Sequence, residues 1–270
     1  MKAVIDIGGT KTFIGTTDGY DIFEFISFKT PKRLSEFLEI FEKVNTLSKF
    51  SDTLNIAIPG RADSDGWITF LPNVNLKNFN IIDPFRKYFN SINVQNDVFC
   101  GALNLIYKEK ARNSLLINWG SGIGGAIIIN GAIYTGNGNA GEIGHISFGK
   151  KDIEKYIGGL FLKDNYGYTG YEFHTMAENG DKKALENFKK IGAKFGYFLR
   201  SMIYILDPDS IYLFGSFLNS WPFMEESVKR ILETYDRKVR ISIIKDKYYV
   251  LKGCYFLDDF LKNKKSEHFS

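Results

Sequence analysis

The sequence predicts an α/β protein built as two related halves, each a β-β-β-α-β-α-β-α core, with a cleft between them. Three observations carry that expectation. One segment recurs at a fixed spacing, glycine-rich turns fall at matched places in both copies, and strands alternate with helices after each copy.

The recurrence pairs VIDIGGTKTFIGTTDGYDIF (4–23) with LINWGSGIGGAIIINGAIYT (116–135), and no gap is needed. Asp6 falls on Asn118, Gly8 on Gly120, and Asp18-Gly19 on Asn130-Gly131. Each copy reads as strand, Gly-rich turn, strand, hairpin turn, strand. Asp-Gly and Asn-Gly favour type I′ turns, because both central residues need positive φ.

After the first copy the pattern predicts a helix over 34–49 and a strand over 54–58 that stops at Pro59-Gly60. A helix over 82–89, the strand INVQN and a helix over 98–110 follow. After the second copy, helices over 181–206 and 222–234 flank a buried strand over 211–215. The halves are expected at 1–108, completed by a C-terminal helix at about 255–270, and at 109–254. The 270 residues are enough for two such domains. A cleft between them is the expected place for a ligand.

Composition excludes several classes. Hydrophobic content of 44% and charged content of 24% are ordinary for a globular protein. The formal charge of +4 is spread along the chain, with KNKK (262–265) its one dense run, so no nucleic-acid partner is implied. MKAVIDIGG begins a strand and lacks a signal-peptide core, and no apolar run approaches a membrane span. The expectation is a cytoplasmic protein with no membrane partner. Cys100 and Cys254 sit in separate apolar contexts and are expected as isolated reduced thiols.

Glycine lets backbone N–H groups approach phosphate oxygens, and successive N–H groups form an anion nest. Two such turns at matched positions suggest two hands on one polyphosphate. In DIGGTK, Thr10 and Lys11 add a hydroxyl and a cation, while Asp6 is placed to hold Mg²⁺ through water. Gly120, Gly122 and Gly125 also satisfy the dinucleotide fingerprint, which needs a following helix; the β-branched run AIIING argues against it. Farther on, Glu142 and His145 stand three apart in AGEIGH, with Glu154 nearby. Their spacing fits a metal site, an acid–base cluster or a sugar-binding rim alike.

In order along the chain, DIGGTK (6–11), AIPGRAD (57–63), LPN (71–73), NDVF (96–99), GSGIGG (120–125) and AGEIGH (140–145) resemble the ROK family. ENGD (178–181), LDPDSIYLFGS (206–216) and KGC (252–254) continue the resemblance over nearly the whole chain. The family comprises sugar kinases and sugar-responsive repressors of the actin-like ATPase (ribonuclease H-like) superfamily. The resemblance implies two actin-like domains and an ATP- and Mg²⁺-dependent hexokinase acting at the C6 hydroxyl of glucose or a close relative. It implies Asp97 as general base, Asn73 and Asn96 on sugar hydroxyls, and Glu142 and His145 near the anomeric end. Gly8, Gly9, Thr10, Lys11, Gly120, Ser121 and Gly122 would cradle phosphates, with Gly215 and Ser216 near adenosine. Family members are often dimers, so a homodimer is compatible. The chemistry agrees: phosphoryl transfer needs positioning and charge neutralisation, with a carboxylate taking the hydroxyl proton. A carboxylate at Asp97, between a strand and a helix, is also placed to cap that helix.

The sequence departs from the family at its Cys-rich zinc motif. No cysteine follows His145 before Cys254, so a Cys₃His site is not available and no structural zinc is expected. Ile153-Glu154 with Tyr156 and Gly158-Gly159 resemble the residues that close that motif, which implies a shortened loop with Glu154 kept on the sugar. His145 is then expected to be free for the sugar. A regulator of this family carries a helix-turn-helix ahead of the first strand, which here starts at Lys2. That start leaves no room for a DNA reader, so a regulator is not expected, and retention of Asp6, Lys11, Asp97, Glu142 and His145 favours a kinase over a non-catalytic binding relative.

Overall fold

The computed structural model of the chain describes residues 1–71, 78–234 and 238–267. The chain divides into two compact units, Met1–Ala111 with Asp246–Ser270, and Arg112–Lys245.

The first unit opens with strands β1 (Lys2–Ile7), β2 (Lys11–Thr17) and β3 (Ile22–Lys29), then helix α1 (Leu34–Asn45) and strand β4 (Thr53–Ile58). A small hairpin, β5 (Arg61–Ala62) and β6 (Ile68–Phe70), precedes β7 (Ser91–Asn96) and α2 (Asp97–Glu109). The sheet runs β3-β2-β1-β4-β7, with β1, β4 and β7 parallel. Successive side chains of a strand point to opposite faces. Ala3, Ile5 and Ile7 of β1 and Leu54, Ile56 and Ile58 of β4 therefore share one face, which packs with Phe37, Phe41 and Val44 of α1. Those α1 positions recur at helical spacing and form one apolar stripe.

The segment 82–89 is not the helix that the sequence predicts. It makes only a 3₁₀ turn, Asp83–Phe85, with Phe85 and Phe89 in the core. Asn80 Oδ1 accepts from the N–H groups of Ile82 and Asp83, a local turn that competes with helix formation.

The second unit repeats the plan. It contains β8 (Ser114–Trp119), β9 (Ile123–Ile129), β10 (Ala132–Tyr134), β11 (Ser147–Phe148) and β12 (Lys151–Asp152). Helices α3 (Glu154–Ile157), α4 (Gly159–Tyr166), α5 (Gly170–Glu178) and α6 (Lys182–Leu206) follow, then β13 (Ser210–Phe214), α7 (Glu225–Leu232) and β14 (Arg240–Ile243). Its sheet order, β10-β9-β8-β13-β14, mirrors that of the first unit. The ends of β8 and β9 fall where the recurrence places them relative to β1 and β2. Pairing within the two hairpins differs by one residue: Asp6 faces Phe13, whereas Asn118 faces Gly124 rather than Gly125. The core centres on buried Trp119, stacked on Phe195 with ring centroids 4.0 Å apart, its Nε1 donating to Ile157 O at 3.1 Å.

The two hairpin turns also differ. Asn130 and Gly131 both have positive φ, 54° and 82°, as a type I′ turn requires. Asp18 does not. Its Oδ1 accepts from the N–H groups of Tyr20 and Asp21, both at 2.8 Å, so the side chain builds a longer loop in place of the expected tight turn.

Two C-terminal helices, α8 (Tyr249–Cys254) and α9 (Leu257–Glu267), return to the first unit. Segment 246–254 thus belongs with the first half rather than the second. Gly253 makes this packing feasible, since a Cβ there would meet Cys100 O of α2. Lys2 Nζ donates to Asp258 Oδ1 at 2.7 Å and to Asp259 Oδ2 at 2.8 Å. Asn55 Nδ2 donates to Cys254 O and to Asp258 Oδ1, and Asn93 donates to Asn55 Oδ1. Cys100 and Cys254 are free and buried as expected, but they are neighbours rather than isolated: burial raises the Cys254 thiol, and a hydrogen bond with Cys100 adds to it. No described helix is long and apolar enough to cross a membrane.

Candidate functional site

In the first unit, the candidates gather at the carboxyl ends of three adjacent parallel strands, the place where open α/β sheets present ligands. Asp6 pairs with Ala57 and Ile58 pairs with Asn96, so the ends of β1, β4 and β7 lie side by side. Asp6 is half-buried, and burial pushes its carboxyl up to about 8, with the negative charge of Asp97 adding to the effect.

Asn96, not Asp97, caps α2. Its Oδ1 accepts from Val98 N at 2.9 Å and Phe99 N at 3.3 Å, while its Nδ2 donates to Gly60 O at 3.4 Å. Asp97 is the first residue of the helix, half-buried, and its Oδ1 accepts from Val98 N at 2.8 Å. Asn73 lies outside the described residues.

The first Gly-rich turn is closed by Gly8 N donating to Lys11 O at 2.9 Å. Thr30 sews it to the end of β3: Thr30 N donates to Thr10 O and Thr30 Oγ1 to Gly8 O at 2.6 Å. Lys32 Nζ donates to Gly9 O at 3.2 Å. Among the described residues, the N–H groups of Gly9 and Thr10 donate to no protein acceptor.

The second turn follows the same plan in the second unit. Gly120 N donates to Gly122 O at 3.0 Å. The carbonyls of Gly120 and Ser121 accept from Gly159 N and Leu160 N at the start of α4, so that helix end is used to hold the loop. The N–H groups of Ser121 and Gly122 donate to no protein acceptor among the described residues. Gly215 ends the neighbouring parallel strand β13, and Ser216 Oγ lies 3.7 Å from where a Cβ on Gly120 would stand. Glu154, the first residue of α3, has 15% of its side chain exposed, and its Oε2 lies 2.7 Å from the Cβ position of Gly122. That places a carboxylate directly against the turn.

The AGEIGH segment owes its form to close backbone approach. A Cβ on Gly141, whose φ is 96°, would stand 2.3 Å from Gly125 O, and one on Gly144 would be 2.1 Å from Ile123 O. Both glycines therefore let the segment lie flat on β9, with Ile143 packed beneath. Glu142 is half-buried just before the 3₁₀ turn Ile143–His145, and His145 N donates to Glu142 O at 3.1 Å. His145 is not free as expected: its Nδ1 lies 3.1 Å from Asp152 Oδ2. Among the described residues, no group of three or more His, Cys, Asp and Glu side chains is arranged to hold a metal.

The first unit thus brings together Asp6, Gly8, Gly9, Thr10, Lys11, Asn96 and Asp97. The second brings together Gly120, Ser121, Gly122, Glu154, Gly215 and Ser216, and carries Glu142 and His145 on its own turn. Sequence reasoning missed Lys32 and Asp152. Lys32 lies just past the predicted hairpin and carries no pattern of its own, and Asp152 meets His145 through a short hairpin that the sequence does not signal.

The ROK family model matches residues 2–249. An N-acetyl-D-glucosamine kinase of Yersinia pseudotuberculosis is 23% identical over 285 residues, covering 90% of this chain and 93% of the relative. An N-acetylglucosamine repressor of Escherichia coli O157:H7 is 24% identical over 249 residues, covering 77% of this chain and 61% of the relative. The fold matches a Streptomyces griseus ROK family glucokinase, solved with glucose and AMPPNP, at a TM-score of 0.79 and 20% identity, covering 95% of this chain and 98% of that one. The repeated sheets, the paired glycine turns and the match along nearly the whole sequence lead to one conclusion: this chain belongs to the ROK family.

Proposed function

We propose that the protein is an ATP-dependent sugar kinase that transfers the γ-phosphate to a hexose hydroxyl, with the C6 hydroxyl of glucose as acceptor. The observation that carries this reading is Asp97 at the start of α2, close enough to Asp6 to raise its carboxyl. Asp97 would accept the proton of the attacking hydroxyl as the bond to phosphorus forms. Asn96, held by its cap and by Gly60, would orient the acceptor with its remaining amide hydrogen, and Glu142, His145 and Glu154 would read other hydroxyls. The free N–H groups of both turns would hold donor phosphates, with the hydroxyls of Thr10 and Ser121 and the ammonium of Lys11 beside them.

The donor set also suits Mg²⁺. A half-buried carboxylate that prefers its proton when alone becomes favourable as an anion beside a cation, and Asp6 meets that condition. When bound, the ion would neutralise charge on the donor phosphates.

An ADP-release assay over glucose, mannose, fructose, N-acetylglucosamine and N-acetylmannosamine tests the reading. Turnover of at least one is expected, and its absence with all of them would overturn it. D97N is expected to abolish turnover while the acceptor still binds; near-normal kcat in D97N would remove Asp97 as the base. The similarity to the repressor favours a second reading, a sugar-responsive regulator. It predicts tight sugar binding without turnover by the unaltered protein.

A further inference from the structure

The first glycine turn is a surface whose backbone carbonyls are all occupied. Gly8 O takes the Thr30 hydroxyl, Gly9 O the Lys32 ammonium, Thr10 O the Thr30 N–H, and Lys11 O the Gly8 N–H. What it offers outward is donors, the N–H groups of Gly9 and Thr10, and a Cβ on Gly9 would meet nothing within 4 Å. An open, donor-only turn is an anion site.

Cations converge on the same turn. Lys11 faces Lys29 directly across β2 and β3, so their side chains share one face with Cβ atoms roughly 5 Å apart. Like charges so placed are unfavourable unless an anion lies between them. Both are exposed, and no described carboxylate pairs with either. Glu36, the carboxylate nearest in sequence to Lys32, is engaged by the Arg33 guanidinium at 2.7 Å and by the Lys32 backbone N–H. Lys32 reaches the turn from the other side of Thr30, and the two Thr30 bonds fix the end of β3 against the loop.

We propose that Lys29 and Lys32 complete, with Lys11, a three-ammonium seat at the Gly8–Lys11 turn that holds the phosphate chain of the donor. This deepens the kinase reading by naming two further donor-binding residues. The donor is gripped here by the charge of its phosphates rather than by its nucleoside, so an inorganic phosphate chain should occupy the same seat.

Calorimetric titration of the full chain with inorganic tripolyphosphate, without acceptor, is the test. The unaltered protein should bind, K29Q/K32Q should bind at least about tenfold more weakly, and K29R/K32R should retain most of the affinity. In steady state, K29Q/K32Q should raise the KM for ATP about tenfold and leave the acceptor KM within about twofold. Failure of the unaltered protein to bind tripolyphosphate would overturn the proposal, as would equal binding by K29Q/K32Q. Loss of binding in K29R/K32R as well as in the glutamine variant would also overturn it, since charge would then not be the cause. Binding of tripolyphosphate without turnover of any hexose would sink the kinase reading alone and leave this seat standing.

Discussion

His145 Nδ1 lies 3.1 Å from Asp152 Oδ2, joining the AGEIGH turn to the second strand of the hairpin that follows it. Ile153 N donates to Ile146 O at 2.9 Å, and Phe148 meets Tyr156 edge-on at 5.9 Å. Buried Ile153 completes the anchorage. These contacts hold the loop, and among the described residues no group of three or more His, Cys, Asp and Glu side chains could hold a metal. Incubation with a zinc chelator is therefore expected to leave the melting temperature within about 1 °C of the untreated protein.

On the proposed function, the same pair orients a group that reads the acceptor. Both side chains are about half exposed, so the pair should contribute under about 1 kcal/mol to stability. Its effect on the imidazole should be larger, because an outer partner fixes ring orientation and tautomer. D152A is expected to raise the acceptor KM about tenfold with kcat and melting temperature little changed. Steady-state kinetics and a thermal melt check both halves of this expectation.

Asp6 makes stability depend on pH. Folding raises its carboxyl from 3.8 to about 8, because burial and Asp97 both disfavour the charge. Its contribution is fully present below pH 3.8 and is lost as pH rises through 8. D6N removes that dependence. The melting temperature of D6N should match the parent near pH 4, exceed it increasingly toward pH 8, and then keep a constant margin. A margin that does not grow with pH would refute the buried-charge account.

Glu154 separates acceptor from donor roles. Its carboxylate lies against the second glycine turn, where it would repel a phosphate unless another group intervened. As a reader of the acceptor, E154Q should raise the acceptor KM at least about tenfold and leave the ATP and Mg²⁺ dependences unchanged. Kinetics varying each substrate in turn would show it, and a shift confined to Mg²⁺ would assign the carboxylate to the donor side.

Asp258 pins the C-terminal helices. Burial alone would raise its carboxyl, but hydrogen bonds from Lys2 and Asn55 outweigh that and hold it below the ordinary range. It therefore stabilises the fold above the usual carboxylate pKa, and that stability is lost on acidification below it. Its side chain is 4% exposed, so D258A leaves the Lys2 ammonium and the Asn55 amide without their buried acceptor. Lys2 keeps Asp259 and Tyr255 O and Asn55 keeps Cys254 O, so the expected cost is about 1–3 kcal/mol, read as a lower urea midpoint for the first unit.

The repeat was legible because both copies obey the same backbone constraints: strand, glycine turn and hairpin leave residue signatures wherever they occur. Asp6 and the two turns stood out for that reason, whereas Asn96 and Asp97 were singled out by the resemblance to the family. The one-residue difference in pairing could not, since register depends on which side chains the opposite strand presents. Asp18 defeated the turn rule by using its own carboxylate as an acceptor. Asn96 took the cap that Asp97 was expected to supply, a choice between two adjacent residues that both accept hydrogen bonds well. The Lys32 and Asp152 contacts exist only once strands are paired, and the membership of 246–254 depended on Gly253 fitting against Cys100.

Lys2 and Asp258, joined by 2.7 Å in space, lie at opposite ends of the chain. The first unit is discontinuous, whereas Arg112–Lys245 is one unbroken stretch. A growing chain can therefore close the second unit while the first still lacks α8 and α9, and the loop entropy of that late closure falls on the first unit alone. The order in which the units are completed is thus the reverse of the order in which they begin: the half that begins first is finished last. Rejoining the ends through a short linker and opening the chain between 111 and 112 would make both units continuous, and such a permutant should refold faster in its first unit.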